Sequence, residues 1–209
     1  MNKPIVIIGA GDHAKVLLDI LLEQGETVLG LVDRMVPKGT VIYGVSVIGD
    51  DDEVLKYSSD EIELVNGIGS VDNLTLRDKI YSFFKNKGYV FKCVIHKSAI
   101  ISNRAILLEG AQILPKTVIN TEAQIGENTI INTGSVVEHG CNIGNNCHIA
   151  PGCTLSGCVK VGDKTHIGTG SSIIQGVTIG KNVLLGAGSV VVNNIEDNSK
   201  AYGVPAKVK

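Results

Sequence analysis

An aliphatic residue recurs at every sixth position from residue 95 to residue 191, and this repeat limits the possible folds more than any other feature of the sequence. The seventeen consecutive positions are Ile95, Ile101, Leu107, Ile113, Ile119, Ile125, Ile131, Val137, Ile143, Ile149, Leu155, Val161, Ile167, Ile173, Ile179, Leu185 and Val191. The position two residues earlier is small in most repeats, as at Ala111, Thr117 and Ser135. A period of six fits neither a helix nor an alternating strand. It is typical of a β-helix in which each repeat forms one flat wall.

Three such walls give one triangular coil, with the aliphatic side chains pointing inward and the small residues at the corners. Coils stacked about 4.8 Å apart would form a prism of about 5.3 coils, roughly 26 Å tall. Aliphatic ladders would then supply the buried surface, which explains an aromatic content of only 4% with no Trp. Glycines that directly follow an inward residue, such as Gly126, Gly144 and Gly162, are predicted to occupy turns with unusual backbone angles.

The first 90 residues show no such repeat and alternate between strand and helix signals. Strands are predicted over 5–8, 28–32, 62–65 and 90–95, and helices over 14–24, from residue 50 and over 74–87. This alternation predicts a small parallel sheet with helices on its faces. We therefore predict two domains, a Rossmann-like α/β domain over 1–90 and an all-β parallel β-helix over 91–209.

Composition excludes several functional classes. Hydrophobic residues make up 44% and charged residues 19% of the 209-residue chain, which argues against wholesale disorder. A net charge of −2 argues against nucleic-acid binding through phosphate neutralisation. No apolar run is long enough to cross a bilayer, so no membrane span is expected. The short apolar stretch at the N-terminus runs into Gly9, Gly11 and Asp12 rather than a cleavage site, and we expect a cytoplasmic protein.

Five cysteines raise the question of redox or metal chemistry. Cys93, Cys141, Cys147 and Cys153 all occupy the small position two residues before an inward aliphatic, which indicates that they fill corners. Cys158 is out of that phase, and one cysteine makes no motif. The odd count makes disulfides improbable, and we expect no metal site.

Several segments together resemble one enzyme family. They are the opening Gly-Ala-Gly-Asp-His-Ala-Lys over 9–15, Leu-Val-Asp-Arg over 31–34, Ile-His-Lys-Ser-Ala over 95–99, Ser-Val-Val-Glu-His over 135–139 and Gly-Val-Pro-Ala-Lys over 203–207. With the six-residue repeat, they resemble the hexapeptide-repeat acyltransferases, whose repeats form a left-handed parallel β-helix. More narrowly, the chain is similar to bacterial nucleotide-sugar N-acetyltransferases of the bacillosamine and perosamine type, and to the related sialic-acid O-acetyltransferases.

That resemblance implies an acetyl-CoA-dependent N-acetyltransferase acting on a nucleotide-linked 4-amino-4,6-dideoxy sugar. Acetyl-CoA would be a co-substrate, with no cofactor bound permanently. The relatives are trimers with active sites between neighbouring β-helices, so a homotrimer is expected.

Acetyl transfer to a mostly protonated amine needs a proton acceptor, and the histidine pKa suits that task. The resemblance assigns the general base to His139, for which the alternative is a surface turn histidine, and Glu138 beside it is a second candidate catalytic residue. Relatives often carry a carboxylate directly after this histidine, where this chain has Gly140. The orienting group could be Glu138, a backbone carbonyl, or absent.

The acetyl-CoA side of the site is also implied by the resemblance. His148 would contact the thioester region, Gly157, Thr169 and Ala187 would line the pantetheine groove, and Lys207 would meet a CoA phosphate or remain a solvated terminal charge. His166 lies one coil above His148 and is interpreted as part of a surface ladder rather than of a metal site. His96, at the domain junction, is interpreted as structural.

Gly9-x-Gly11, between a strand and a helix, could present backbone N–H groups to a phosphate. The resemblance assigns nucleotide-sugar contacts to Gly11, His13, Asp33 and Arg34, and a substrate contact to Asn132. Asp12, where relatives usually have glycine, would either discourage a diphosphate or cap the following helix. Because a strand-end acidic residue also suits a ribose, a nicotinamide-dependent oxidoreductase is one rival, alongside a sialic-acid O-acetyltransferase and a non-enzymatic structural β-helix.

Overall fold

The computed structural model of the chain describes residues 3–70 and 74–209. The chain divides into two compact units, one ending at Val94 and the other running from Ile95 to Lys209. Among the helices of the described residues, none has the length and apolar character needed to cross a bilayer.

The N-terminal unit is a small α/β layer structure. Its elements are β1 (Ile5–Ile8), α1 (Asp12–Glu23), β2 (Val28–Val32), β3 (Val41–Ile42), β4 (Val45–Gly49), α2 (Asp51–Val54), β5 (Glu63–Asn66) and α3 (Leu74–Lys85). The sheet order is β3-β4-β2-β1-β5, and its pairs are parallel except for the β3–β4 hairpin. The predicted Rossmann-like fold class is confirmed.

Burial explains why these segments form this sheet. All four residues of β1 are buried, as expected for a central parallel strand covered on both faces. One face of α1 supplies Leu17, Leu18 and Leu21 to the core. A second cluster contains the aromatic rings of Phe84 and Phe91.

Two features of this unit differ from the sequence prediction. The predicted strand over 90–95 was wrong: it is reduced to a single bridge between Leu64 and Phe91, and its last residues begin the β-helix instead. The β3–β4 hairpin was missed. Its two turn residues, Tyr43 and Gly44, have φ values of 48° and 85°, and a tyrosine in the first of these positions is a poor turn signal.

The C-terminal unit is a parallel β-helix of short strands. They are β6 (Val94–Ile95), β7 (Ile100–Ile101), β8 (Ile106–Leu107), β9 (Gln112–Ile113), β10 (Val118–Ile119), β11 (Gln124–Ile125), β12 (Ile130–Ile131), β13 (Val136–Val137), β14 (Asn142–Ile143), β15 (His148–Ile149), β16 (Thr154–Leu155), β17 (Lys160–Val161), β18 (His166–Ile167), β19 (Ser172–Ile173), β20 (Thr178–Ile179), β21 (Leu184–Leu185), β22 (Val190–Val191), β23 (Lys200–Tyr202) and β24 (Lys207–Val208).

Every third strand pairs in parallel, which creates three walls. The first wall runs from β6 through β9, β12, β15, β18 and β21, the second from β7 to β22, and the third from β8 to β20. Residues three repeats apart are register partners, as in Ile125 with Ile143 and Ile143 with Val161. From Ile113 to Val191 each inward aliphatic is at most 3% exposed, so the predicted three-sided prism with an aliphatic interior is confirmed. The first three members of the predicted series, Ile95, Ile101 and Leu107, are only partly buried.

The corners follow a fixed backbone pattern. From Leu107 to Leu185, the third residue after each inward position adopts positive φ, whether it is glycine, as at Gly134 (φ 70°), or another residue, as at Asn128 (φ 54°). The prediction for glycines directly after the inward residue was wrong, because these do not have positive φ. At Gly126 an added Cβ would lie 2.4 Å from the Gly144 carbonyl carbon in the next coil, so glycine is needed there for close stacking of coils.

From Ala111 to Ser189 the position two residues before each inward residue is buried and fills the corner interior, as predicted. Cys93, which was predicted to fill a corner too, is only partly buried. Cys141, Cys147 and Cys153 are buried there, and the Cys147 thiol donates to the Gly162 carbonyl at 3.1 Å. Thr165 makes the equivalent hydrogen bond with its hydroxyl, to the Gly180 carbonyl at 2.7 Å. All five cysteines, each within the described residues, are free thiols.

Candidate active site

His139 lies in the corner that joins the second and third walls, two residues after the end of β13. Its side chain is exposed, and its imidazole rests on Gly157, one coil further along. A Cβ added to Gly157 would lie 2.5 Å from both Nε2 and Cε1 of the ring. The structure therefore brings together two residues that the sequence assigned to different roles.

Glu138 engages the backbone of His139 rather than its ring. Its Oε2 accepts the His139 N–H at 3.2 Å and the Asn120 amide Nδ2 at 2.9 Å. Within residues 3–70 and 74–209, the His139 imidazole makes no hydrogen bond of its own. Asn120 was missed by sequence reasoning, although it lies three repeats before Glu138 and the coil length places it directly alongside.

The surroundings of Gly157 leave one backbone donor unused. The Cys158 N–H donates to the His139 carbonyl at 2.9 Å, which ties the two coils together. The neighbouring Gly157 N–H has no acceptor among the described residues. An unused N–H beside an imidazole can stabilise a developing negative charge.

His148 and Asn132 form a second group, on the first wall and at its edge. The Asn132 amide Nδ2 lies 3.1 Å from His148 Nε2, so that ring nitrogen accepts and the proton is on Nδ1. His148 is 6% exposed. The His166 ring packs edge-on against it with centroids 4.9 Å apart. No cluster of three or more potential metal ligands occurs in the part of the chain that the structure describes.

These predicted residues do not converge within one chain. Glu138, His139 and Gly157 lie at the corner after the second wall, whereas Asn132 and His148 belong to the first wall and its edge. Three further predicted residues, Thr169, Ala187 and Lys207, are exposed, the first two in the turns between the first and second walls. A complete wall therefore separates the two groups.

The N-terminal unit contains a cavity of about 310 Å³ at the carboxyl ends of its strands. Its walls include Gly9 after β1, Asp33 and Arg34 after β2, and Ile68 after β5. The connection after β1 leads to β2 on one side, whereas the connection after β4 crosses to β5 on the other side of β1. Parallel α/β sheets form ligand crevices where the strand order reverses in this way. The cavity thus gathers two of the predicted nucleotide-sugar residues.

Asp33 and Arg34 already have partners in this region. Asp33 accepts the Ala10 N–H at 2.8 Å and the Met35 N–H at 2.8 Å, one on each carboxylate oxygen. Arg34 pairs with Asp51 at 2.8 Å. Burial raises the pKa of the Asp51 carboxyl, and the Arg34 guanidinium opposes that rise. Asp33 therefore fixes the loops around the cavity.

The glycine loop differs from expectation in one detail. Gly11 is the N-cap of α1, and an added Cβ there would meet nothing within 4 Å, so the helix N-terminus is open. The capping role suggested for Asp12 was wrong, because its carboxylate pairs with Lys15 Nζ at 2.9 Å instead. His13 follows in the first turn of α1, with its Cβ beside Gly69.

Arg77, on α3, supports the same cavity and had no sequence signal. It is fully buried, and its Nη1 donates to the carbonyls of Asn66 at 2.9 Å and Ile68 at 2.7 Å. Burial lowers the pKa of the guanidinium to about 9. Since Ile68 lines the cavity, Arg77 fixes one of its walls.

Comparison with known proteins matches both units. The PglD N-terminal domain model matches residues 4–83, and the bacterial transferase hexapeptide model matches residues 122–157 and 158–193. The chain is 39% identical to perosamine N-acetyltransferase from Caulobacter crescentus, over 99% of this chain and 96% of that one, with a TM-score of 0.91; that protein was solved as a histidine-to-asparagine variant with CoA and GDP-perosamine.

A second similar structure is the acetyltransferase domain of PglB from Neisseria gonorrhoeae with acetyl coenzyme A. It is 30% identical over 100% of both chains, with a TM-score of 0.92. WeeI from Acinetobacter baumannii, at 24% identity and a TM-score of 0.89, shares the fold. The likeness extends across both units rather than the repeats alone. The chain therefore belongs to the hexapeptide-repeat acetyltransferases, in the group that joins a PglD-type N-terminal domain to the β-helix.

Proposed function

We propose that this enzyme transfers the acetyl group of acetyl-CoA to the amine of a nucleotide-linked 4-amino-4,6-dideoxy sugar. The observation that carries the proposal is the full-length similarity to a protein solved with CoA and GDP-perosamine. Both the cavity-bearing N-terminal unit and the histidine-bearing corner lie within the matched region. The acceptor would be an amine, with a sialic-acid hydroxyl as the alternative.

His139 is the proposed general base. The amine nitrogen attacks the thioester carbonyl carbon, and its proton passes to the His139 imidazole as the C–N bond forms. The C–S bond then breaks, and the CoA thiolate leaves and takes up a proton. The exposed ring with no competing hydrogen bond among the described residues supports this role, because it leaves the ring free to accept a proton. Glu138 contributes by fixing the backbone beneath the ring.

The tetrahedral intermediate carries a negative oxygen that needs donors. The unused Gly157 N–H is the proposed donor from this corner, and His148 is the proposed contact of the thioester region. The Asn132 contact at 3.1 Å supports the His148 role, because it fixes that ring through Nε2 and gives Nδ1 the proton. Gly157, Thr169, Ala187 and Lys207 together would line the path of acetyl-CoA.

We propose that the active unit is a homotrimer with sites between neighbouring chains. The separation of His139 from Asn132 and His148 by a complete wall supports this arrangement, since a neighbouring chain can supply the missing group. Light scattering should then give a mass three times that of the 22.0 kDa chain. A monomer with full activity would contradict it.

Each of the two units has its own proposed role. Residues 1–90 would hold the nucleotide-sugar, with Gly11, His13, Asp33 and Arg34 around the cavity, and residues 91–209 would carry the acetyl-transfer site. A cytoplasmic location is proposed because both substrates are cytoplasmic metabolites. Five free thiols are compatible with that reducing compartment.

A substrate panel tests the function. Acetyl-CoA is supplied with GDP-perosamine, with the matching 4-hydroxy nucleotide-sugar and with sialic acid, and CoA release is followed with a thiol reagent. Release with the amino sugar alone is expected. Release with sialic acid alone would replace N-acetylation by O-acetylation. NAD binding to the chain without CoA release would contradict the acetyltransferase assignment.

A further inference from the structure

We infer that Gly157 is a positioning residue for His139: its missing side chain creates the seat that holds the imidazole in its reactive orientation. The inference deepens the proposed function and rests on it, because it concerns the proposed base. It also accounts for how His139 is oriented when Gly140 follows it and Glu138 hydrogen-bonds only its backbone N–H.

The backbone does not require glycine at position 157. Its φ lies outside the positive region that disfavours side chains. At the equivalent corner position of other coils the chain carries Thr121, His139 and Gln175, which together with Gly157 form a series spaced by three repeats. A side chain is therefore compatible with this point of the coil.

Close stacking of the coils does not require glycine there either. Where glycine is needed for stacking, as at Gly126 and Gly162, an added Cβ would collide with the backbone of the next coil, at 2.4 Å and 2.7 Å. At Gly157 the three nearest atoms all belong to the His139 ring: Cε1 and Nε2 at 2.5 Å, and Nδ1 at 3.2 Å. The space left by the absent side chain is occupied by the imidazole.

Packing on Gly157 therefore takes the place of a hydrogen bond in orienting the ring. A real Cβ cannot remain 2.5 Å from ring atoms, and the His139 ring, being exposed, is the group that can move. Alanine at 157 would rotate the ring away from its seat without changing its chemistry. A misplacement of about 1 Å in a reacting group can cost about 100-fold in rate.

The test is Gly157→Ala in the full-length protein, with His139→Ala and the double variant. The contacts proposed for Gly157 with CoA and with the oxyanion use only its backbone, which alanine keeps. We therefore expect Gly157→Ala to lower kcat by about 10- to 100-fold while the Kd for CoA, measured by calorimetry, stays within about twofold. Because Gly157 acts through His139, adding Gly157→Ala to His139→Ala should change the rate by less than about twofold. Gln175→Ala, which places alanine at the same corner one coil away, is the matched control and should keep wild-type turnover.

The ring itself gives an independent measure. The His139 Cε1–H signal, assigned by its loss in His139→Ala, should shift in the free Gly157→Ala protein. An unchanged signal, or rate losses that multiply in the double variant, would overturn the positioning role. A CoA Kd weakened equally in both backgrounds would assign Gly157 to CoA contact instead. Unchanged turnover in His139→Ala would contradict the proposed base, and the ring signal would still decide whether Gly157 seats the imidazole.

Discussion

The two units achieve a stable core by opposite means. In the β-helix, inward aliphatics from Ile113 onward stack on partners one coil away, and Tyr202 is the one Phe or Tyr in that unit. In the N-terminal unit, aromatic rings such as Phe84 and Phe91 fill the core, and the contacts join segments with no fixed spacing. In the β-helix, position along the repeat therefore decides each residue's surroundings, whereas in the N-terminal unit individual contacts decide them.

This contrast extends to the candidate site. In the β-helix, the spacing of three repeats aligns Asn120 with Glu138 and His139 with Gly157. In the N-terminal unit, the cavity depends on Asp33 and Arg77, which join loops from distant strands. The effect of a substitution in the β-helix should therefore depend on the position of the residue within the coil. In the N-terminal unit it should depend on which loops the replaced side chain holds together.

The largest loss of stability is expected where the next coil leaves no room for a side chain. Gly126→Ala should destabilise the protein by about 3 kcal/mol, because its Cβ would overlap the backbone of the next coil. Gly134→Asn is the matched control, since Gly134 has positive φ and an open surrounding, and asparagine occupies the same position of another repeat at Asn128; its cost should stay within about 1 kcal/mol. Urea denaturation measures both. Equal losses of stability in the two variants would show that the position of a glycine within the repeat does not determine whether it can be replaced.

A smaller effect is expected where one side chain ties two loops. Asp33→Ala removes the acceptor for the N–H groups of Ala10, Met35 and Val36 and should cost about 2 kcal/mol. It should also weaken nucleotide-sugar binding while leaving the Kd for CoA unchanged. Asp33→Asn keeps one acceptor oxygen and should lose less. Calorimetry with each ligand separates the outcomes, and an equal loss of CoA affinity would contradict the assignment of Asp33 to the first unit's site.

The smallest effect concerns a buried thiol of the β-helix at high pH. Burial raises the pKa of Cys147 from 9.0 to about 12, so in the unfolded chain this thiol ionises first. Stability that is fully present below pH 9 is then lost as pH rises towards 12, by about 1 kcal/mol at pH 10. Cys147→Ser, which keeps a hydroxyl donor for the Gly162 carbonyl, should flatten the decline between pH 8 and pH 10.5.

Thr165, three repeats after Cys147, provides the control for that prediction. Thr165→Ser leaves every thiol in place and keeps a hydroxyl donor for the Gly180 carbonyl, so it should leave the alkaline decline unchanged. Urea midpoints at successive pH values measure both variants. An identical slope for wild type and Cys147→Ser would show that the Cys147 thiol does not contribute.

Sequence patterns predicted the β-helix well because the same position of each repeat is occupied by an aliphatic side chain that points into the prism. Every coil repeats this arrangement, so Ile125 and Ile143 have equivalent surroundings. The two kinds of corner glycine were harder to separate: Gly126 is set by contact with the next coil and Gly134 by φ, and both look alike in the sequence.

The candidate site was predictable only where residues follow the register or the family pattern. His139, His148 and Asn132 were predicted in that way, and the spacing of three repeats could also have indicated Asn120. Arg77 could not be predicted, because its partners are backbone carbonyls. Every residue has such a carbonyl, so the sequence does not indicate which ones Arg77 contacts. The β3–β4 hairpin was missed for a similar reason, since Tyr43 does not identify a turn.

Turnover of His139→Ala, measured with acetyl-CoA and GDP-perosamine, is the most direct test of the proposal that this corner of the β-helix performs acetyl transfer. We expect kcat to fall by at least about 100-fold, with the Kd for CoA within about twofold of wild type. His96→Ala, whose ring contacts Ser98 at the start of the β-helix, should retain turnover. Wild-type turnover in His139→Ala would contradict the account.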